Sequence, residues 1–345
     1  MKIIINLLFL VLTNPKTLLF SLALIRGTLI SVSSTSWYGT WIGLEINLLS
    51  FIPLISKTNN QRIAEAALKY FIVQVIASSL FLFAVITLNV SSIQLSITIW
   101  ILAISIKLGG APFHIWIPEV IEGITWFDCL ILITWQKLAP LTLIRYTITS
   151  PVALISLIII ISVIVGSVGG LNQTSLRKII AFSSINHTGW LIAAIICDSK
   201  TWITYFLIYS LLTIITTSLI GRNKLNHINQ TFSLNMQSTT KLAIFTRLLS
   251  LGGLPPFLGF LPKWIVITKI THIFSVVTIT IMVLMALITL FYYIRIAYAA
   301  FLINHANYAW IEGLWLNTKE NYLTILIIAI TLLGLITVPL IIDIL

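Results

Sequence analysis

Six side chains in this sequence carry titratable chemistry where titratable groups are expensive. Glu45 in "WIGLEINLLSF", Lys107 in "SIKLGGAPFH", Lys137 in "TWQKLAP" and Lys263 in "FLPKW" all lie in long apolar runs. His114 follows Lys107 closely, and His187 sits in "SSINHTGW". A charge at the centre of a bilayer costs on the order of 3 kcal/mol even on lenient scales. Proton transfer is the chemistry these residue types suit. Lysine releases a proton when desolvated, which arginine does not. At an effective dielectric of about 20, opposite charges at about 4 Å attract by roughly 4 kcal/mol, and at about 8 Å by half that. The difference, about 2 kcal/mol, equals roughly 1.5 pKa units. Movement of Glu45 relative to a lysine would therefore load or unload a proton without covalent chemistry. Neutral imidazoles at His114 and His187 would extend such a relay. The alternative is structural: an ion pair of Glu45 with Lys107 or Lys137, and histidines that are simply hydrogen-bonded. Glu45 is too short to snorkel. Lys69, Arg145 and Arg295 lie within about two turns of span ends and are expected to snorkel, as is Arg247. Arg26, near the middle of the first apolar run, has no such account.

The elements that must hold these groups are membrane helices. The 345-residue chain is 59% hydrophobic and 8% charged, with a mean hydropathy of +1.07, whereas soluble domains are about 25% charged. Runs of about 20 apolar residues, enough to cross a bilayer, recur throughout. They predict an all-α polytopic protein with eleven spans, at 15–34, 36–56, 62–89, 95–120, 126–148, 151–169, 177–197, 199–220, 239–270, 274–303 and 321–343. Residues 3–12 are apolar but too short to span, and 1–14 is read as an N-terminal extension. Lys2, Lys16, Lys57, Arg62, Arg177, Lys178, Arg222, Lys224, Lys241 and Lys319 fall on one side of this map, against Arg145, Lys200 and Lys269 on the other. By the positive-inside rule the N-terminus faces the cytoplasm or matrix. A polar stretch, 221–241, reads as a surface connector.

Two of these spans are interrupted. "LGGAPFHIWIP" (108–118) and "LGGLPPFLGFLP" (251–262) share Leu-Gly-Gly-x-Pro at an offset of 143 residues. Gly109, Gly110 and Pro112 break one segment, and Gly252, Gly253, Pro255 and Pro256 break the other. Each break has a lysine beside it, Lys107 or Lys263. Irregular backbone at membrane depth must be buried in protein or line a wet cavity. A matched pair of Gly/Pro-interrupted segments is the usual sequence pointer to the ion pathway of a transporter built from repeats. Five helices separate the copies, so an inverted repeat is expected, with repeat one near 15–148, repeat two near 151–303 and a C-terminal helix at 321–343.

Other classes are disfavoured. The two cysteines, Cys129 and Cys197, cannot alone ligate an iron–sulfur cluster or structural zinc, and "GSVGG" (166–170) lacks the spacing and preceding strand of a nucleotide fingerprint. No metal and no redox cofactor is expected in the chain. The formal charge of +11 reads as basic loops against anionic phospholipids such as cardiolipin, not nucleic acid.

The segments "WIGLEINLLSFIPLI", "EAALKYF", "KLGGAPFHIWIPEV", "TWQKLAPL", "GGLNQTSLRKIIAFSSINHTGW" and "LSLGGLPPFLGFLPKW" together resemble the subunit 2 family of mitochondrial NADH dehydrogenase. These are antiporter-like subunits of the membrane arm of respiratory complex I, in the short animal form. The likeness runs in order and spacing over about 15–310. It implies Glu45 paired with Lys107, Lys137 as the central relay, Lys263 on the second broken helix and His187 at a further relay position. It also implies a mitochondrial inner-membrane location, with the N-terminus in the matrix and the C-terminus in the intermembrane space. Other membrane-arm subunits would be the partners. NADH, FMN, iron–sulfur clusters and ubiquinone would be held by other subunits of an NADH:ubiquinone reductase. The competing readings are a free-standing secondary cation/proton antiporter and a purely structural subunit.

Overall fold

The computed structural model describes residues 15–56, 60–90, 93–146, 152–233, 238–271, 274–302 and 329. The expected extension 1–14 and C-terminal helix 321–343 lie outside them, apart from residue 329. Among the described residues the fold is helical, with one isolated bridge between Ser175 and His227. Eight segments there are long and apolar enough to cross a membrane: 15–33, 37–55, 61–88, 126–145, 153–171, 176–197, 199–222 and 276–297. The expected spans 95–120 and 239–270 instead divide into short helices, because their Gly/Pro breaks stop the hydrogen-bond ladder. By contact the chain forms two units, Met1–Ser162 and Val163–Leu345.

The first unit holds α1 (Pro15–Ser33), α2 (Trp37–Ile55), α3 (Gln61–Val90), α4 (Ile93–Leu108), α5 (Trp116–Gly123), α6 (Trp126–Ile133) and α7 (Trp135–Arg145). α8 (Val152–Leu171) runs through the boundary. Ser36 caps α2 by accepting from the Gly39 N–H at 3.1 Å. α1 and α2 cross where Gly27 meets Gly43. A Cβ on Gly43 would stand 2.8 Å from the Gly27 carbonyl, and one on Gly27 would stand 2.8 Å from Asn47 N. Small residues allow this backbone approach, the usual basis of helix packing in lipid. Lys69 keeps its head group partly exposed. It bridges Glu65 and Glu119, each at 2.9 Å, and so ties α3 to α5. Arg26 is exposed on α1.

The second unit holds α9 (Leu176–Cys197), α10 (Ser199–Arg222), α11 (Ile228–Ser233), α12 (Ser238–Gly252), α13 (Phe260–Ile270) and α14 (Val276–Leu302). α9 is its central helix, 89% buried over its apolar window against 22% for α14. Lys269 pairs with Asp198 at 2.9 Å and anchors the end of α13 to the α9–α10 turn. The polar stretch 221–241 is more than a connector. Leu176 N donates to Asn226 O and Ile228 N to Thr174 O, closing it onto the start of α9. Exposed Arg295 donates through Nη1 to the Leu171 carbonyl at 2.7 Å, capping α8. Arg247 corrects an expectation. It is 0% exposed rather than extended to an interface, because it lies on the inward face of α12 little more than a turn before the break.

Gly43→Val should lower the thermal midpoint of the detergent-extracted protein, by the roughly 1–3 kcal/mol typical of overpacking. Ile42→Val on the exposed face of the same helix is the control and should leave the midpoint unchanged; scanning fluorimetry distinguishes them.

Candidate functional site

Both breaks end a helix in the same way. α4 stops at Leu108, and Gly109 adopts φ 66°, in the left-handed region that glycine alone enters freely. Gly110 N then bonds Ser105 O at 3.0 Å and Gly109 N bonds Ile106 O at 3.1 Å. This is the paired C-terminal motif that recovers two orphan carbonyls. α12 stops at Gly252, with Gly253 at φ 85°, Leu254 N on Leu249 O at 3.5 Å and Gly253 N on Ser250 O at 3.0 Å. The left-handed residue is thus the first glycine of one pair and the second of the other, one position out of the sequence register.

Side chains from beyond each break reach back to the helix just ended. Trp116 Nε1 donates to Ile106 O at 3.2 Å. Lys263 Nζ donates to Gly252 O at 2.8 Å. An indole and an ammonium therefore do the same backbone work in the two segments.

In the first unit Lys107 and Lys137 are both buried and line one cavity of about 20 Å³, room for about one water. Asn47, Tyr70, Gln74 and Gln136 complete its polar wall. Glu45 stands at the middle of α2, half-buried. It acts on Lys107 as a nearby charge and not through a direct ion pair. It does not line the cavity. Lys137 lies on α7, whose helix is irregular at Thr134 and contains Pro140, which lacks the N–H that would bond the Gln136 carbonyl. His114 is half-exposed in the first break, where its Nδ1–H donates to the Pro112 carbonyl at 3.1 Å. It is not brought to the cavity.

In the second unit His187 is buried on α9, with Nδ1 3.0 Å from the Tyr205 hydroxyl and its ring 4.8 Å from that of Tyr209. Trp190, almost one turn on, presents its ring to Lys263 Nζ at 5.9 Å, near the outer limit of a cation–π contact. Lys263 is buried as well.

With this geometry in view, a family model described as NADH:quinone oxidoreductase/Mrp antiporter, TM matches residues 34–289. The chain belongs to that family. A protein of Anopheles gambiae named NADH-ubiquinone oxidoreductase chain 2 is 47% identical, over 94% of this chain and 97% of its own length. The protein of that name from Locusta migratoria is 41% identical over 91% and 93%. A chain of respiratory complex I from Thermus thermophilus shares the fold at a TM-score of 0.79 and 22% identity, over 93% of this chain and 79% of that one. One of the Mrp complex from Dietzia does so at 0.72 and 17%, over 81% and 59%. Among the described residues no cluster of three metal-ligating side chains occurs.

Several polar residues of this family member escaped the sequence reading. Asp128 is a buried acid at the start of α6. Thr125 Oγ1 donates to its Oδ2 at 2.6 Å, and Asp128 N donates back to Thr125 Oγ1 at 3.4 Å. The Thr-x-x-Asp spacing of a capping box was its available signal. Tyr205, Tyr209, Asn47 and Gln136 carried no such signal, since only packing brings them to the site.

Trp116→Phe should remove about 1 kcal/mol of support from the first break. Amide hydrogen exchange at Gly109 and Gly110 is expected to quicken roughly fivefold. Unchanged exchange would show that the indole bond does not hold the break.

Proposed function

We propose that this chain is a proton-translocating membrane-arm subunit of NADH:ubiquinone oxidoreductase. The observation that carries this reading is the shared burial of Lys107 and Lys137 on one small polar cavity, with the charge of Glu45 acting on Lys107. Membership of the NADH:quinone oxidoreductase/Mrp family, and relatives named NADH-ubiquinone oxidoreductase chain 2 that match over more than nine-tenths of both lengths, support it further. The free-standing antiporter is the less favoured reading, since the Mrp-complex chain is matched over a smaller share of both.

In this mechanism the chain carries no electrons. NADH, FMN, iron–sulfur clusters and ubiquinone belong to neighbouring subunits, and coupling reaches this chain as a displacement or charge change at Glu45. A carboxylate close to Lys107 favours the ammonium, and its withdrawal favours proton release toward Lys137. Cavity water and neutral amides on its wall supply the hydrogen-bonded medium for that transfer. His187 and Lys263 serve the second repeat, with the Tyr205 hydroxyl as the immediate partner of the imidazole. Lys263 keeps its bond to Gly252 O in either protonation state, because a neutral amine still donates. His114, fixed to its own loop, stands as a peripheral member.

The finer architecture follows the same proposal: eleven spans with an inverted five-helix repeat, repeat one near 15–148 and repeat two near 151–303. The like termination of α4 and α12 supports it. The bias of basic loops supports an N-terminus in the matrix of the mitochondrial inner membrane and a C-terminus in the intermembrane space, with anionic phospholipid against those loops.

Gentle solubilisation of source membranes, a native gel and mass spectrometry should find this chain in a large NADH-oxidising band. Migration as a small particle without that activity would favour the antiporter instead. In the assembled complex, Lys107→Met or Glu45→Gln is expected to slow coupled NADH:ubiquinone turnover at least about tenfold, equivalent to roughly 1.4 kcal/mol on the barrier. Normal turnover and proton stoichiometry in such a complex would overturn the relay roles.

A further inference from the structure

We infer that the hydrogen bond between Asn47 and Gln136 is a positioning latch that sets how the Glu45 helix stands against the Lys137 helix. The inference rests on the relay reading above and adds two residues to it.

Gln136 Nε2 donates to Asn47 Oδ1 at 2.9 Å, between residues 89 apart in sequence. Asn47 follows Glu45 by two positions on α2, and Gln136 directly precedes Lys137 on α7. Both amides line the cavity that Lys107 and Lys137 share. Asn47 is buried, and its backbone is held from behind. Gly27 of α1 packs against Asn47 N with no room for a Cβ, and Ser50 Oγ donates to the Asn47 carbonyl at 2.8 Å. The amide is thus mounted on fixed backbone and reaches across to the helix of the second lysine.

Carboxamides do not titrate near neutral pH, so this pair is a poor proton carrier and a good ruler. Attraction between opposite charges halves between about 4 and 8 Å. A few ångströms of slip between α2 and α7 would therefore change how the Glu45 charge is shared among the lysines. Glu45, Lys107, Lys137 and the Tyr70 phenol are the titratable groups around this cavity. The latch holds the two helix backbones in place, so that any displacement of Glu45 is made by its side chain and not by slip of the helix.

The test uses the assembled complex, resolved by native gel, with coupled turnover, proton stoichiometry and the pH–rate profile as readouts. Asn47→Leu and Gln136→Met each remove one partner at similar volume. Each should slow coupled turnover about fivefold, the worth of one neutral hydrogen bond, and move the pH midpoint by about half a unit or more. The double variant should be no worse than the more impaired single, as expected for residues acting as a pair. Asn47→Gln combined with Gln136→Asn restores the amide pair at the same total reach and should recover turnover to within about twofold and return the pH midpoint. If Asn47→Leu does not assemble, Gln136→Met at the half-buried end and the exchanged pair carry the test. Single variants with an unmoved pH profile, or effects that multiply in the double and are not rescued by the exchange, would overturn the latch. Lys137→Met separates the two levels. If it blocks pumping while the latch variants behave normally, only the latch falls. If Lys137→Met pumps normally, the relay reading falls and the latch with it.

Discussion

Backbone carbonyls inside hydrocarbon must find donors within the protein, and the two interrupted helices make that demand acute. An unsatisfied group there costs several kcal/mol. Gly109 and Gly253 meet part of it by turning left-handed, so that their own amides and those of the next residues fold back onto the last turn. Trp116 and Lys263 meet more of it from the far side of each break. Once the carbonyls are covered, a polar cavity beside the first break becomes tolerable, and a lysine can sit on its wall. The rest of the candidate site depends on that satisfaction.

Charges are handled in two distinct ways. At exposed positions they meet directly, as in Lys69 with Glu65 and Glu119, or Lys269 with Asp198. Such pairs contribute little net energy, about 0–1 kcal/mol, but they fix where α5 and α13 lie. In the interior of the first unit Glu45 acts on Lys107 from a distance. A direct buried pair would resist separation, because each partner left alone would carry the whole desolvation penalty. A pair without direct contact leaves the charge state adjustable. That arrangement suits a proposed relay better than it suits a structural brace.

Lys263 combines a structural role with a proposed chemical one. Its ammonium caps the helix that ends at Gly252, faces the Trp190 ring and is the proposed relay group of its segment. These roles are compatible because lysine has more donors than the cap requires. Arginine at Arg247 differs, being wholly buried on α12 and unable to lose its charge at usable pH. Its burial is a fact about packing that no count of residues from a span end would have supplied.

The sequence by itself determined the membrane class, the positions of both breaks and the placement of Glu45, Lys107, Lys137 and Lys263 in apolar runs. Each of these follows from local composition: twenty apolar residues demand a span, Gly-Gly-x-Pro cannot continue a helix, and a charge in an apolar run is visible wherever it lands. The tertiary structure decided which glycine of each pair turns left-handed, because that depends on which carbonyls the following amides can reach. It decided that Lys107 shares its cavity with Lys137 while His114 does not. It also brought Asn47 to Gln136 and Tyr205 to His187. Those contacts join helices distant in sequence, and only the packing of whole helix faces, set by close crossings such as Gly27 on Gly43, brings one side chain to another.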